Sequence, residues 1–239
     1  MFRQSSSPFA TAIIPAYNEA KTINSLLDVL VQIPRISDII VVDDHSTDAT
    51  REIVRAYCLR DERIRLICLP INLGKGGALA AGVGESKNDV VVFLDADLVA
   101  LQPNHILDLI EPVQSGICEM TLGIFKGGRF QTDWSHRVTP FLSGQRCLKW
   151  SVFRYMPGFS DARWGAEVAM SLYARQNKLQ VKHVAWQGVT HVMRPEKNKG
   201  AMKFWSHVQM WWDIGLYLIQ HLSGQGKSRS QRSSHTSTP

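Results

Sequence analysis

Four short apolar runs, each closed by a polar or tight-turn cluster, constrain this chain more than any other feature. They are Thr11–Pro15, Asp38–Asp43, Ile64–Leu69 and Val90–Leu94. Helical spacing fills the gaps: Ile23, Leu26, Leu27 and Leu30 in the first, Ile53, Val54 and Tyr57 after Thr47, and an Ala-rich segment after Gly74–Gly77. The runs are apolar throughout and do not alternate, as strands buried on both faces of a parallel sheet must be. The order β-α-β-α-β-α-β predicts an α/β domain, with a mostly parallel sheet covered by helices on both faces.

Ligands of such sheets bind beyond the carboxyl ends of the strands. The four ends read Pro15-Ala16-Tyr17-Asn18-Glu19, Asp43-Asp44-His45-Ser46-Thr47-Asp48, Asn72-Leu73-Gly74-Lys75-Gly76-Gly77 and Asp95-Ala96-Asp97. Asp95 and Asp97 stand two apart, so on extended backbone they face the same side. Such a pair can hold a hard cation, Mg²⁺ or Mn²⁺, that bridges diphosphate oxygens, or one carboxylate can take a ribose hydroxyl. The plainer alternative is an acidic strand end that caps the next helix. Gly74–Gly77 lacks the GxxxxGK[ST] string of a P-loop. Lys75 and the helix start can face a diphosphate, or the segment is a glycine-rich turn. Asp43 or Asp44 can accept a hydrogen bond from a nucleobase; burial against a backbone partner is the equal alternative for Asp43. Thr47 or Ser46 can cap the helix that follows.

Composition narrows the class. With 239 residues, 44% hydrophobic and 20% charged, the chain reads as globular with one large domain. No run of 18 apolar residues predicts a membrane span, and Met1–Ser5 has no apolar signal stretch. The net charge is +6, but residues 194–239 hold seven basic and two acidic side chains, so that end carries most of it. This suits an anionic surface or substrate at one end, and not a nucleic-acid binder, whose basic stripe lies on the fold itself. Cys58, Cys68, Cys118 and Cys147 have neither zinc nor redox spacing. The expectation is a reduced, cytoplasmic protein without structural metal.

Past residue 97 the rhythm changes. Helical spacing covers about 104–115, a strand 117–125, and a Gly- and Arg-containing loop Lys126–Arg129 follows. Residues 136–155 read as helical with a break at Ser143-Gly144, 164–176 as a helix and 180–192 as strand-like. In 201–222, Phe204, Val208, Trp211, Trp212, Gly215, Leu218, Ile219 and Leu222 share one wide face, with Lys203, Ser206, His207, Asp213, Gln220 and His221 opposite. Such a helix docks on the domain or a dimer partner, or lies on a membrane aided by Lys227, Arg229 and Arg232. The polar residues 223–239 predict a disordered basic tail. The predicted organisation is a catalytic domain 1–200, an amphipathic helix 201–222 and the tail 223–239. Arg129, Arg146, Arg163 and Arg194 are candidate binders of a phosphate, because a guanidinium fork matches phosphate. Arg146 is favoured, since Ser143-Gly144 offers a tight turn beside it.

The strand-end motifs Pro15-Ala-Tyr-Asn-Glu19, Val41-Val-Asp-Asp-His-Ser-Thr-Asp48, Asn72-Leu-Gly-Lys-Gly76 and Leu94-Asp-Ala-Asp97 resemble those of the family 2 glycosyltransferases with the GT-A fold, over about residues 10–200. That resemblance implies a nucleotide-sugar site lined by Pro15, Ala16, Tyr17, Glu19, Asp44, Lys75, Asp95 and Ala96, with Asp95 and Asp97 as metal aspartates. The second half is similar to a narrower group, the glucosyl-3-phosphoglycerate synthases. Gly127-Gly128-Arg129 and Pro140-Phe-Leu-Ser-Gly144 resemble its acceptor region, Trp164-Gly-Ala-Glu167 its Gly-x-Glu segment, and Gly188-Val-Thr-His191 a segment whose histidine completes the metal site. Gln145-Arg146 departs from the Glu-Tyr expected of that group. By residue type alone, His191 is a packed side chain. Glu167 is a first-turn carboxylate complementing the helix dipole, or a group that orients or deprotonates an acceptor hydroxyl.

The resulting expectation is a metal-dependent hexosyltransferase. The donor is a UDP- or GDP-hexose, and the acceptor is a small phosphorylated molecule such as phosphoglycerate, with Arg129, Ser143, Gly144 and Arg146 on the acceptor side. Glu167 and Asp97 carry the chemistry. Rivals are transfer to a lipid acceptor at a membrane surface, a sugar-nucleotide-forming nucleotidyltransferase, and a membrane-peripheral binding protein with a vestigial site. The nucleotidyltransferase would place its glycine-rich loop after the first strand, where Ala-Tyr-Asn-Glu stands here.

Overall fold

The computed structural model describes residues 8–126, 144–154, 156 and 166–191. Its first half follows the apolar pattern: β1 (Ala10–Ala16), α1 (Ile23–Leu30), β2 (Ile36–Asp43), α2 (Thr50–Cys58), β3 (Ile64–Cys68), α3 (Gly74–Glu85) and β4 (Val90–Phe93). The four strands lie in the order β3-β2-β1-β4, all parallel. The side chains of β1, β2 and β4 are buried on both faces, whereas the edge strand β3 is only partly covered. Ile14, Ile39, Val41 and Val92 pack with Leu26, Leu27 and Leu30 of α1, while Ile40 and Val42 pack with Ala78 of α3. α3 lies close to the sheet because Gly82 has no Cβ, which would come 2.5 Å from Ile13 Cγ2.

The second half adds β5 (Leu98–Val99), α4 (Pro103–Gln114), β6 (Met120–Lys126), β7 (Arg146–Lys149), α5 (Trp150–Arg154), α6 (Ala166–Gln176), β8 (Val181–Gln187) and β9 (Thr190–His191). β7 enters the sheet between β4 and β6, antiparallel to both, giving the seven-strand order β3-β2-β1-β4-β7-β6-β8. This corrects the helical expectation over 136–155: of the residues described there, Arg146–Lys149 form a strand and only Trp150–Arg154 a helix. Cys147 and Leu148 are both fully buried, and the strand gains a hydrogen-bonded neighbour on each edge, which outweighs local spacing. The strand-like stretch 180–192 divides into β8 and β9 at Gly188, whose φ is 73°.

All four cysteines are free thiols. Among the described residues no helix is long and apolar enough to cross a membrane. Arg129, Ser143, Arg163, Arg194, the 201–222 helix and the 223–239 tail lie outside the described residues.

Candidate active site

The ends of β1 and β2 are stitched together. Ser46 Oγ accepts the Asn18 N–H at 2.9 Å, Asn18 Oδ1 accepts the Thr47 N–H at 2.8 Å, and Thr50 Oγ1 accepts the Glu19 N–H at 2.9 Å. Asn18 and His45 take left-handed φ values of 57° and 67°, an uncommon backbone that clusters at functional loops. Glu19 Oε2 accepts the Thr22 hydroxyl at 3.0 Å. Asp43 is fully buried. It accepts the Ser46 N–H and the Arg51 Nε at 2.5 Å, and the same bond raises the Arg51 pKa. Asp43 is thus built into the loop. Asp44 instead joins two strand ends: its Oδ1 accepts the Leu73 N–H at 2.7 Å and its Oδ2 the Gly74 N–H at 2.8 Å. It thereby caps the start of α3, where Gly74 turns at φ 77° and Lys75 follows.

The centre of the site is ionic. Lys75 Nζ lies 2.5 Å from Asp95 Oδ1 and 2.5 Å from Glu167 Oε1, so it joins the loop after β4 to the first turn of α6. Burial alone would lower the Lys75 pKa, but the two carboxylates lift it above its ordinary value. Gln145 Nε2 donates to Asp95 Oδ2 at 2.7 Å, and Gln145 Oε1 accepts the Asp95 N–H at 3.0 Å. Beneath them lies Arg146, fully buried in β7. Burial pushes its pKa down to about 10 against the pull of Glu167 and Asp95, and the guanidinium stays charged at neutral pH. Two cations therefore face two carboxylates, a balanced group that a sheltered site can hold. Arg146 sits within this group and not as an exposed fork. Gly144 completes the wall, because a Cβ there would run into the Asp95 carboxylate and lie 2.6 Å from Lys75 Nζ.

Of these groups, Lys75 and Asp95 border a cleft of about 500 Å³, the size of a small-ligand site. It gathers Pro15, Ala16, Tyr17, Glu19, Asp44, Lys75, Asp95, Ala96 and Asp97, together with Asn72, Gly74 and Ala78. Tyr17 is 45% exposed at its mouth. β5 and β9 pair antiparallel with Leu98 opposite His191, so the His191 backbone lies beside the residue that follows Asp97. Asp95 and Asp97 offer the oxygen donors a hard cation needs. Asp95 is bonded to Lys75 and Gln145, and Asp97 lines the cleft beside it.

Two functional features were not anticipated from the residues. One is the pairing of Lys75 with Glu167, two groups 92 positions apart. The other is Gln145, whose signal was a polar residue between a tight Ser-Gly turn and the apolar Cys147-Leu148.

Known proteins resemble this chain in sequence and in fold. A dolichyl-phosphate beta-glucosyltransferase, ALG5C, of Trichomonas vaginalis is 40% identical over 101 residues, covering 38% of this chain and 30% of that protein. The glycosyltransferase AglD of Haloferax volcanii is 34% identical over 119 residues, and the chain spans only 19% of its length. The dolichyl-phosphate beta-glucosyltransferase of Homo sapiens is 23% identical across 93% of this chain and 78% of its own. Among solved structures, glucosyl-3-phosphoglycerate synthase from Mycobacterium tuberculosis, in complex with Mn²⁺, UDP-glucose and phosphoglyceric acid, superposes with a TM-score of 0.65 at 23% identity, over 88% of this chain and 82% of that one. That likeness carries the fold, a GT-A-type α/β architecture. The model of glycosyl transferase family 2 matches residues 11–165, well over half of the sequence, and the chain belongs to that family.

Proposed function

We propose that the chain transfers a hexosyl group from a nucleoside-diphosphate sugar to a small phosphorylated acceptor such as phosphoglycerate. The observation that carries the reading is the Asp95–Lys75–Glu167 chain of 2.5 Å contacts, whose Lys75 and Asp95 line a 500 Å³ cleft with Asp97, beyond the carboxyl end of β4. Pro15, Ala16, Tyr17 and Glu19 line the nucleoside end, and Asp44 holds the α3 start that presents Lys75 to the diphosphate. Asp97, with Asp95 and His191 beside it, would hold Mg²⁺ or Mn²⁺, which neutralises charge on a leaving diphosphate. Glu167, fixed by Lys75, orients the acceptor hydroxyl that attacks the anomeric carbon. If the centre inverts, Glu167 takes that hydroxyl's proton; if it is retained, the leaving diphosphate takes it. Gly144, with Ser143 and Arg129, would serve the acceptor side.

The test is a donor-by-acceptor screen of the full chain with UDP- and GDP-hexoses, Mn²⁺ or Mg²⁺, and phosphoglycerate, followed by anomeric NMR of the product. Absence of transfer and of donor hydrolysis with every pair would reject the reading. Pyrophosphate release from a sugar phosphate and a nucleoside triphosphate would instead favour a nucleotidyltransferase.

A second reading has its own support. Similarity to the human dolichyl-phosphate beta-glucosyltransferase runs over 93% of the chain, and residues 201–239 combine a Trp-rich face with a basic tail. A polyprenyl phosphate acceptor at a membrane surface fits both. Co-sedimentation of the full chain with anionic vesicles at low salt, lost when 201–239 are removed, supports it; no sedimentation at low salt rejects it.

A further inference from the structure

We infer that Gln145 is a positioning residue for the donor site, acting through Asp95. The inference rests on the donor-site reading above and adds a residue to it.

One primary amide makes two bonds to one aspartate. Its Oε1 receives the Asp95 N–H at 3.0 Å and its Nε2 gives a hydrogen to Asp95 Oδ2 at 2.7 Å. The pair of bonds fixes both the backbone and the χ angles of Asp95, and so turns Oδ1 toward Lys75 Nζ at 2.5 Å. A carboxylate in the Gln145 place would set oxygen against oxygen at Oδ2, and an apolar side chain would leave two Asp95 groups without this partner. The amide of Gln145 both gives and accepts here.

The amide is itself locked. Gln145 is fully buried, and its backbone carbonyl accepts the Gly123 N–H at 2.8 Å across to β6. Gly123 has no side chain to obstruct it: a Cβ there would come 3.0 Å from Gln145 Cβ and 3.3 Å from the Trp186 ring. Trp186 is fully buried, wedged between His105 and Phe125 at centroid distances of 5.6 and 6.0 Å. The support runs from the Trp186 cluster through Gly123 and Gln145 to Asp95. It crosses from β6 through the residue that precedes β7 to the loop after β4. A group held this way keeps its partner within the narrow range that binding a charged donor needs.

The test uses Gln145→Met, Gln145→Glu, Asp95→Asn and the double variant Q145E/D95N in the full chain. UDP and GDP with Mn²⁺ are the probes, titrated by calorimetry. Q145M should raise the Kd of the nucleotide that binds wild type by at least about tenfold, the scale at which loss of an outer partner loosens a charged site. In thermal unfolding, Q145E should lower Tm, and adding D95N should restore at least half the loss, because the amide and carboxylate have exchanged places. A Kd for Q145M within about twofold of wild type overturns the inference, as does a double variant no more stable than the two single losses combined predict. If wild type binds neither nucleotide, the donor reading fails, and the thermal cycle alone decides whether Gln145 and Asp95 are coupled.

Discussion

Lys75 Nζ stands 2.5 Å from Glu167 Oε1, so the glycine-rich turn that opens α3 and the first turn of α6 are held by one ion pair. The same ammonium reaches Asp95 at an equal distance. Replacing it strands two carboxylates in a sheltered cleft.

Lys75→Met should therefore abolish transfer and also destabilise the fold by about 1–3 kcal/mol, since a partly buried pair loses one partner and leaves the other uncompensated. Lys75→Arg should recover stability but little activity, because a planar fork cannot occupy the position of a point charge. Chemical unfolding beside a transfer assay reads both.

Asp97→Ala should remove metal-dependent nucleotide binding while the fold persists, as Asp97 lines the cleft outside the Lys75 pairs. His191→Ala should weaken the metal response less, because one neutral ligand contributes less than a charged one. Mn²⁺ titrations of UDP and GDP binding compare the two. Undiminished wild-type transfer in excess EDTA would refute the metal assignment.

Asp44→Asn places an NH₂ where the Leu73 or Gly74 amide now finds a carboxylate oxygen. The start of α3 should loosen, costing about 1–3 kcal/mol, and the donor KM should rise more than kcat falls, because Lys75 is carried on that turn. Steady-state kinetics with varied donor checks the split.

Asp61 and Asp48 set an acid limit on stability. The Arg63 side chain holds the Asp61 pKa below its ordinary 3.8. Burial raises that of Asp48, but the Thr50 hydroxyl and the Ala20 and Thr50 amides outweigh it and lower the net value. Both groups bind protons less readily when folded. Their contribution is present above 3.8 and is lost as pH falls through the folded values. Urea midpoints should drop below about pH 4, and Asp61→Asn should flatten that fall.

The first half of the fold and the cleft at its strand ends were legible because their information is local. Each apolar run ends where a loop must begin, and Pro15–Glu19, Asp44, Lys75 and Asp95–Asp97 lie at those ends in sequence as in space. β7 was not, since Arg146–Lys149 becomes a strand only when β4 and β6 stand on either side. Arg146 looked like a surface fork for the same reason: nothing local indicates that its strand is internal and its guanidinium lies under Asp95 and Glu167. The partnerships of Lys75 with Glu167 and of Gln145 with Asp95 depend on how two halves of a sheet close, which spacing along the chain does not encode.

The insertion of β7 beside β4 also bears on how the chain leaves the ribosome. Val90-Val91-Val92-Phe93 is a flat, apolar edge until Arg146–Lys149 is synthesised. About 50 residues separate the two, which at roughly 5–20 residues per second leaves that edge open for several seconds. Such an edge recruits other strands. Slow translation past residue 94, or a chain cut before β7, should feed aggregation through β4, while the completed protein is protected by the strand that also carries the buried Arg146.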